Sequence, residues 1–476
     1  MKGISMWKTF VLISIVLTTV IGGMLFWQWK AYSKQNESTN ETFEKAAQEI
    51  TVKSNANDLL ITQKITGLTA GKEYLAENPE SLFRWTCIDN NKPCESKDDQ
   101  QLILIPEQNE LVFEYIIPIT KESKAFLLKD WTTSLPEVAI TRSSIIIVDS
   151  VKKGGTWAAG ARLKGFKEMD LIDYYYFEGI GSAPAVYWQS ELLQAAENKN
   201  GAVTYFSNQE IDHSVMKEIQ SLKDFPYVSV IFTDLINEQS SKGLLFSNPS
   251  IKEEAFKRKM FTYFYEKKLK SLPNEQDWVI DALTSYSANL QASTAKGSQV
   301  LLEMNNKLTE EEIESFFRAI NSSSKPLTIQ NLDNYVSEIR GLSTRFFTLN
   351  EGKNDVLVPL YFYDSRKVVV NGTANEGIEI IFEKGKSMFP FIHTMKALGF
   401  EIEILADKET ILVRKGSNTY RFFLNRNIFI YNEDDYGLLE RPIAVINGNI
   451  YMSGQWIEAL FKITIEEKDG EIIILS

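Results

Sequence analysis

Apolar and polar positions along the chain fall into successive patterns, each predicting a different element. The first is an uncharged run, TFVLISIVLTTVIGGMLFWQW, at residues 9–29. At about 1.5 Å per helical residue it spans roughly 30 Å, the thickness of the hydrocarbon layer of a bilayer. A backbone in lipid must satisfy its own hydrogen bonds, so the run predicts a transmembrane helix. Trp7 at one end, with Trp27, Trp29 and Tyr32 at the other, fits an interfacial aromatic belt. A cleaved secretory signal is the alternative. Its apolar core is shorter and ends at small side chains, whereas this run ends in Met24-Leu25-Phe26-Trp27-Gln28-Trp29. Lys2, Lys8 and the amino terminus lie on one side, Lys30 and Lys34 on the other. That slight bias makes residues 1–8 a cytoplasmic tail and places the bulk of the chain outside, as a single-pass protein of the cell membrane. Residues 30–54 are polar and read as a juxtamembrane linker, turning helical near Thr42.

From 55 to 170 the runs are short and strand-like: LILIP at 102–106, LVFEYIIPI at 111–119, FLL at 126–128 and SIIIVD at 144–149. They predict a β-rich domain, with Pro106, Pro118 and Pro136 at strand ends or edges. Gly154-Gly155 and Gly160 follow, without the glycine-lysine order of a phosphate-cradling loop. Between 171 and 235 elements mix. YWQSELLQAAEN at 187–198 and Ser214 to Leu222 read as helices, and FPYVSVIFTD at 225–234 reads as a strand. GIGSAP at 179–184 lacks the spacing of a nucleophile elbow.

Residues 251–350 carry helical periodicity. Ala255, Met260, Tyr263, Phe264 and Leu269 share one side of a first helix, which Pro273 stops. Val279, Leu283, Tyr286 and Leu290 mark a second. Thr309 with Glu312 is a capping box, followed by the stripe Ile313, Phe316, Phe317 and Ile320. Thr328 starts a further helix with Leu332, Tyr335, Val336 and Ile339 inward, and Gly341 ends it.

Residues 367–476 contain an internal repeat. KSMFPFIHTMKALGFEIEILADKETILVRKG at 386–416 and GNIYMSGQWIEALFKITIEEKDGEIIIL at 448–475 each run strand, short helix, hairpin. Ala406-Asp407-Lys408 and Lys468-Asp469-Gly470 fall at the hairpin turns.

Composition narrows the functions open to such a chain. A net charge of −12, from 51 basic and 63 acidic residues, argues against nucleic acid as a partner. The two cysteines, Cys87 and Cys94, flank a turn-forming Asp89-Asn90-Asn91-Lys92-Pro93. Outside the cytosol such a pair oxidises, so a structural disulfide is expected; metal binding and redox chemistry are the weaker alternatives. The two histidines are His213 and His393.

The helical region resembles the gluzincin metallopeptidases. Trp278-Val279-Ile280-Asp281-Ala282-Leu283-Thr284-Ser285-Tyr286 looks like their Trp-Leu-x-Glu-Gly-x-Ala-x-Tyr segment, with Asp281 at the metal-ligand position. Counting back by the family's spacing puts Thr262 and Arg258 where the two ligand histidines would stand, and Lys259 where the catalytic glutamate would stand. Zinc needs neutral imidazoles and its water needs a carboxylate base; Arg, Lys and Thr supply neither. The resemblance therefore implies a peptidase scaffold without its metal, with no catalytic residue and no cofactor. In that reading Arg258 or Lys259 pairs with Asp281. The alternative is an ordinary helical domain in which Trp278 and Tyr286 are core.

The C-terminal repeat resembles the stalk domain at the amino end of some copper amine oxidases and on bacterial envelope proteins. Lys367-Val368-Val369-Val370-Asn371-Gly372, Phe389-Pro390, Ala397-Leu398-Gly399-Phe400 and Ile446-Asn447-Gly448 carry the likeness. It implies an adhesive or spacing module and no copper.

The expected fold class is α+β. A transmembrane helix precedes a β-rich domain (55–170), a degenerate gluzincin-like α/β and helical domain (171–352) and a two-repeat stalk-like α+β domain (365–476). The expected function is that of a membrane-anchored, extracytoplasmic, non-catalytic binding protein at a bacterial cell envelope. Its contacts are the membrane, through residues 9–29, and a protein or cell-wall partner. A hydrolase with an unrecognised constellation and a purely structural spacer are the alternatives.

Overall fold

The strand-forming stretches are built into sheets that extend well past the region where alternation is obvious. The computed structural model describes residues 43–79, 83–90, 92–94, 102–120, 122–209, 219, 222, 224–237, 240–269, 272–352 and 356–476. The expected transmembrane helix at 9–29, the segment from Ser214 to residue 218, and His213 lie outside them. Among the described residues no helix is long and apolar enough to cross a membrane. The longest, Glu253–Lys268, has 16 residues, about 24 Å, and carries charges along its length. The expected fold class is corrected accordingly: the described residues are α+β and β-rich, and none of their helices spans a membrane.

The chain divides into two compact units, residues 1–210 with 227–249, and residues 211–226 with 250–476. In the first, an eight-stranded sheet runs in the order Arg162–Glu168, Asp173–Ile180, Val138–Asp149, Glu44–Ser54, Asp58–Thr66, Glu110–Pro118, Phe83–Asp89, Lys92–Pro93. Glu44–Ser54, expected to be linker turning helical, is an interior strand here. It pairs parallel with Val138–Asp149 and antiparallel with Asp58–Thr66. Ala46, Gln48, Ile50, Val52 and Ser54 alternate inward, so the buried face includes two polar residues that mask the period in the sequence. A three-stranded sheet (Thr156–Ala159, Val186–Gln189, Ala125–Leu128) packs into the same core.

A five-stranded sheet follows in the order Gln194–Glu197, Val203–Ser207, Val228–Phe232, Leu244–Ser247, Ser240–Ser241. The helix expected at 187–198 is thus corrected to two strands. Val186–Gln189 is buried on both faces and favours the extended form through Val186, Tyr187 and Trp188, whereas Gln194–Glu197 is a solvent-facing edge. Cys87 and Cys94 form a disulfide with Cα atoms 5.3 Å apart.

The second unit begins with helices: α1 Glu253–Lys268, α2 Asp277–Ala288, α3 Ala295–Lys307, α4 Glu310–Ser322, α5 Ile329–Arg340 and α6 Phe346–Leu349. The capping box at Thr309 is formed, with Thr309 N–H donating to Glu312 Oε2 (2.8 Å) and Glu312 N–H to Thr309 Oγ1 (3.3 Å). Ile313, Phe316, Phe317 and Ile320 are buried, as the stripe predicts. On α1, Ala255 is exposed and Phe256 and Tyr265 take inward positions. Gly341 ends α5 at φ +70°, a conformation that favours glycine.

The C-terminal repeat is a structural one. Lys386–Pro390 leads into α7, Phe391–Ala397, then the hairpin Glu401–Ile404 and Thr410–Lys415. Asn449–Ser453 leads into α8, Gly454–Phe461, then the hairpin Thr464–Lys468 and Glu471–Leu475. The two leading strands pair antiparallel, Phe389 opposite Met452, which joins the copies back to back. Lys367–Val370 adds to the second hairpin in parallel, and Asn418–Phe423 to the first antiparallel. Phe391, Met395, Phe422, Ile457 and Ile472 share one core.

Candidate functional site

Asp281 stands on α2, a helix buried along most of its surface, so its carboxylate needs partners inside the fold. Six donors meet it. Its Oδ1 accepts from Arg258 Nη1 (3.1 Å), Ser285 Oγ (3.3 Å), Ser293 N–H (3.0 Å) and Ser293 Oγ (2.6 Å). Its Oδ2 accepts from Thr294 N–H (2.8 Å) and Thr294 Oγ1 (2.7 Å). Thr294 is the N-cap of α3 and accepts from Gly297 N–H (3.0 Å). The carboxylate therefore lies against a helix start, where negative charge is favoured. Burial raises its pKa, but the bonds from Ser293 and Thr294 outweigh burial and hold it below the ordinary value.

Arg258, on α1, makes the pair with Asp281. Its guanidinium also donates to Ser285 Oγ (3.0 Å) and to the Gln291 carbonyl. One cation thus ties α1 to α2 and to the segment beyond it, a use suited to the forked donor set of arginine. Lys259 is half-buried, and desolvation pushes its ammonium pKa down. Thr262 Oγ1 lies 3.5 Å from Thr284 Oγ1. Gly297 is confined by the same cluster: a Cβ there would stand 2.8 Å from Asp281 Oδ2 and 2.7 Å from Thr294 Oγ1.

A zinc ion of the kind gluzincin peptidases hold does not fit this corner. Arg258 and Lys259 are cationic donors, Thr262 faces another hydroxyl, and both Asp281 oxygens are engaged. Among the described residues no group of three His, Cys, Asp or Glu side chains is placed to hold a metal ion. His393 is on α7, exposed. Trp278 is buried and stacks on Phe347 at 6.4 Å between ring centroids; Tyr286 stacks on Phe317 at 3.9 Å. Both ends of the segment that resembles the peptidases are thus packing residues.

The structure pairs Arg258 with Asp281 and sets Thr262 against Thr284, and sequence reasoning missed Ser285, Gln291, Ser293 and Thr294 as partners of the pair. Ser293-Thr294 directly before a helix is an N-cap signal, and could have marked this turn as a place for a carboxylate. A second buried carboxylate, Asp333 on α5, was also missed. It accepts from Phe347 N–H (2.7 Å), Thr348 N–H (3.0 Å) and Thr348 Oγ1 (2.6 Å) at the start of α6.

Residues 368–474 match the family model of the copper amine oxidase N-terminal domain. No curated protein matches the chain. Among solved structures, the chain is similar to an M1 zinc metallopeptidase from Deinococcus radiodurans, at 10% identity and a TM-score of 0.44 over 67% of this chain and 95% of that one. A mutant of that enzyme bound to a Tyr-Ser-Ala substrate is similar at 11% identity and a TM-score of 0.43, over 63% of this chain and 91% of that one.

Proposed function

We propose that the protein is a non-catalytic binding protein of the cell envelope, acting outside the cytosol on a protein or cell-wall partner. Its helical region is a peptidase-like scaffold that carries no working metal centre, and its C-terminal domain is an adhesive module. The observation that carries this reading is the Arg258–Asp281 pair: a guanidinium and five further donors occupy the carboxylate a metal would need. The Cys87–Cys94 disulfide supports an oxidising compartment. A fold is compatible with many functions, so the reading rests on these residues and not on likeness of shape.

The test is a measurement of bound zinc and of hydrolysis of unstructured peptides by the purified chain. No stoichiometric metal and no turnover are expected. Turnover that is lost in Asp281→Asn while the fold persists would replace this reading by a hydrolase. Fractionation of cells should recover the protein with the envelope, and recovery in the cytosol with free thiols would remove the extracytoplasmic part of the proposal.

A further inference from the structure

The two copies of the C-terminal repeat fill equivalent places differently. Phe391 and Gly454 are the first residues of α7 and α8. Gly399 and Lys462, which follow those helices, both adopt left-handed φ, +81° and 56°. With the copies matched in this way, Met395 corresponds to Glu458. In the first copy Phe391 and Met395 are fully buried and close the space between helix and hairpin. In the second, Phe389 takes the space a Gly454 side chain would fill, and a cavity of about 230 Å³ opens beside it, lined by Gly454 and Glu458 among others.

Its floor is apolar. A Cβ on Gly454 would stand 3.0 Å from Phe389 Cε2 and 3.4 Å from Ile465 Cδ1. Its rim carries Lys386, Gln455, Glu458 and Glu467. Lys386 is paired with Glu440 at 2.9 Å, so its charge is met on the spot. Glu467 pairs with Arg366 at 2.9 Å, and Glu458 Oε1 accepts from Ile465 N–H at 3.0 Å. The lining thus holds two carboxylates and one cation, Lys386, whose charge Glu440 already meets, and the surroundings favour a positive guest. The cavity is smaller than the roughly 300–1,000 Å³ usual for a whole small-molecule ligand, and so suits one side chain. A long side chain with an apolar stem and a cationic head matches an apolar floor under an acidic rim.

We propose that this cavity takes a lysine or arginine side chain of a partner polypeptide, with the stem on Phe389 and Ile465 and the head at Glu458 and Glu467. The proposal builds on the binding-protein reading, yet the two fail separately. Peptide hydrolysis would end that reading without bearing on the cavity, and a flat titration would end this one without bearing on hydrolysis.

The experiment is calorimetric titration of the full chain with terminally blocked Gly-Gly-Lys-Gly-Gly and Gly-Gly-Arg-Gly-Gly. Both should bind in the millimolar range, and acetylation of the lysine should weaken binding about tenfold. Glu458→Gln should weaken it about threefold, as expected for a partly exposed pair. Gly454→Phe, which installs the first copy's residue, should abolish it. Because that variant has to displace Phe389, the double change Glu458→Gln with Glu467→Gln, at exposed positions, serves as the second arm. No binding of either peptide, equal binding of the acetylated peptide, or unchanged affinity in the double variant would overturn the proposal.

Discussion

Asp281 and Asp333 are both buried carboxylates set against the start of a following helix, and their surroundings push them in opposite directions. Asp281 collects six donors, one of them a guanidinium, and its pKa falls below the ordinary value despite burial. Asp333 is fully buried with three donors and no cation among them, and burial outweighs those bonds so that its pKa rises. One of these residues sits where a zinc ligand would be expected and the other does not. Their shared work is to satisfy backbone N–H groups at a helix start. A residue that a family resemblance puts at a ligand position can thus have a structural role, which the comparison with Asp333 makes visible.

The largest expected effect breaks the comparison outright. Asp281→Ala leaves Arg258 and two backbone donors without their acceptor and should cost about 3 kcal/mol, while Asp333→Ala should cost about 2 kcal/mol, both read from urea unfolding midpoints. Equal losses would mean that Arg258 adds nothing to the first site. Gly297→Ala comes next. Its Cβ would press on Asp281 and Thr294 and should destabilise by about 1.5 kcal/mol, with a lowered thermal midpoint.

Neutral isosteres sharpen the contrast. Asp281→Asn should cost about 1 kcal/mol more than Asp333→Asn, because only the former position favours the charged form. The pH dependence should separate the two by sign. The folded pKa of Asp281 is below 3.8, so its contribution is fully present above that value and is lost as pH falls through the folded pKa. The folded pKa of Asp333 is above 3.8, so its contribution is fully present below that value and is lost as pH rises through the folded pKa. From about pH 5 to pH 3, the advantage of the wild type over Asp281→Asn should shrink, while its balance against Asp333→Asn should move in its favour. Parallel trends in denaturant titrations would show that the two sites are alike after all.

Much of the helical region and of the C-terminal domain was legible because each element declares its own period. The Thr309 capping box, the stripe from Ile313 to Ile320 and the hairpin turn at Lys468-Asp469-Gly470 are local signals, satisfied within a few residues. The β-rich unit was legible only where alternation was clean. Glu44–Ser54 carries Gln48 and Ser54 on its buried face, where Gln48 donates to Ser143 Oγ and Ser54 to Asp149. Polar residues with distant partners look solvated when the partners are unknown. Residues 187–198 misled for the complementary reason: the helix-forming content of Leu192 to Glu197 was overridden by pairing with Val203–Ser207.

The sequence by itself determined the repeat, the helix stripes, the cysteine pair and the absence of a His-Glu-x-x-His run, since each depends on residue identity and spacing along one chain. Only the tertiary structure decided what surrounds Asp281 and Arg258, because Ser285, Gln291, Ser293 and Thr294 reach them through packing of α1, α2 and α3. Likewise only the fold sets Gly454 over Phe389 and opens the cavity of the second repeat. Hydrogen bonds and voids of this kind belong to surfaces brought together in space, and their energies depend on burial that no linear pattern records.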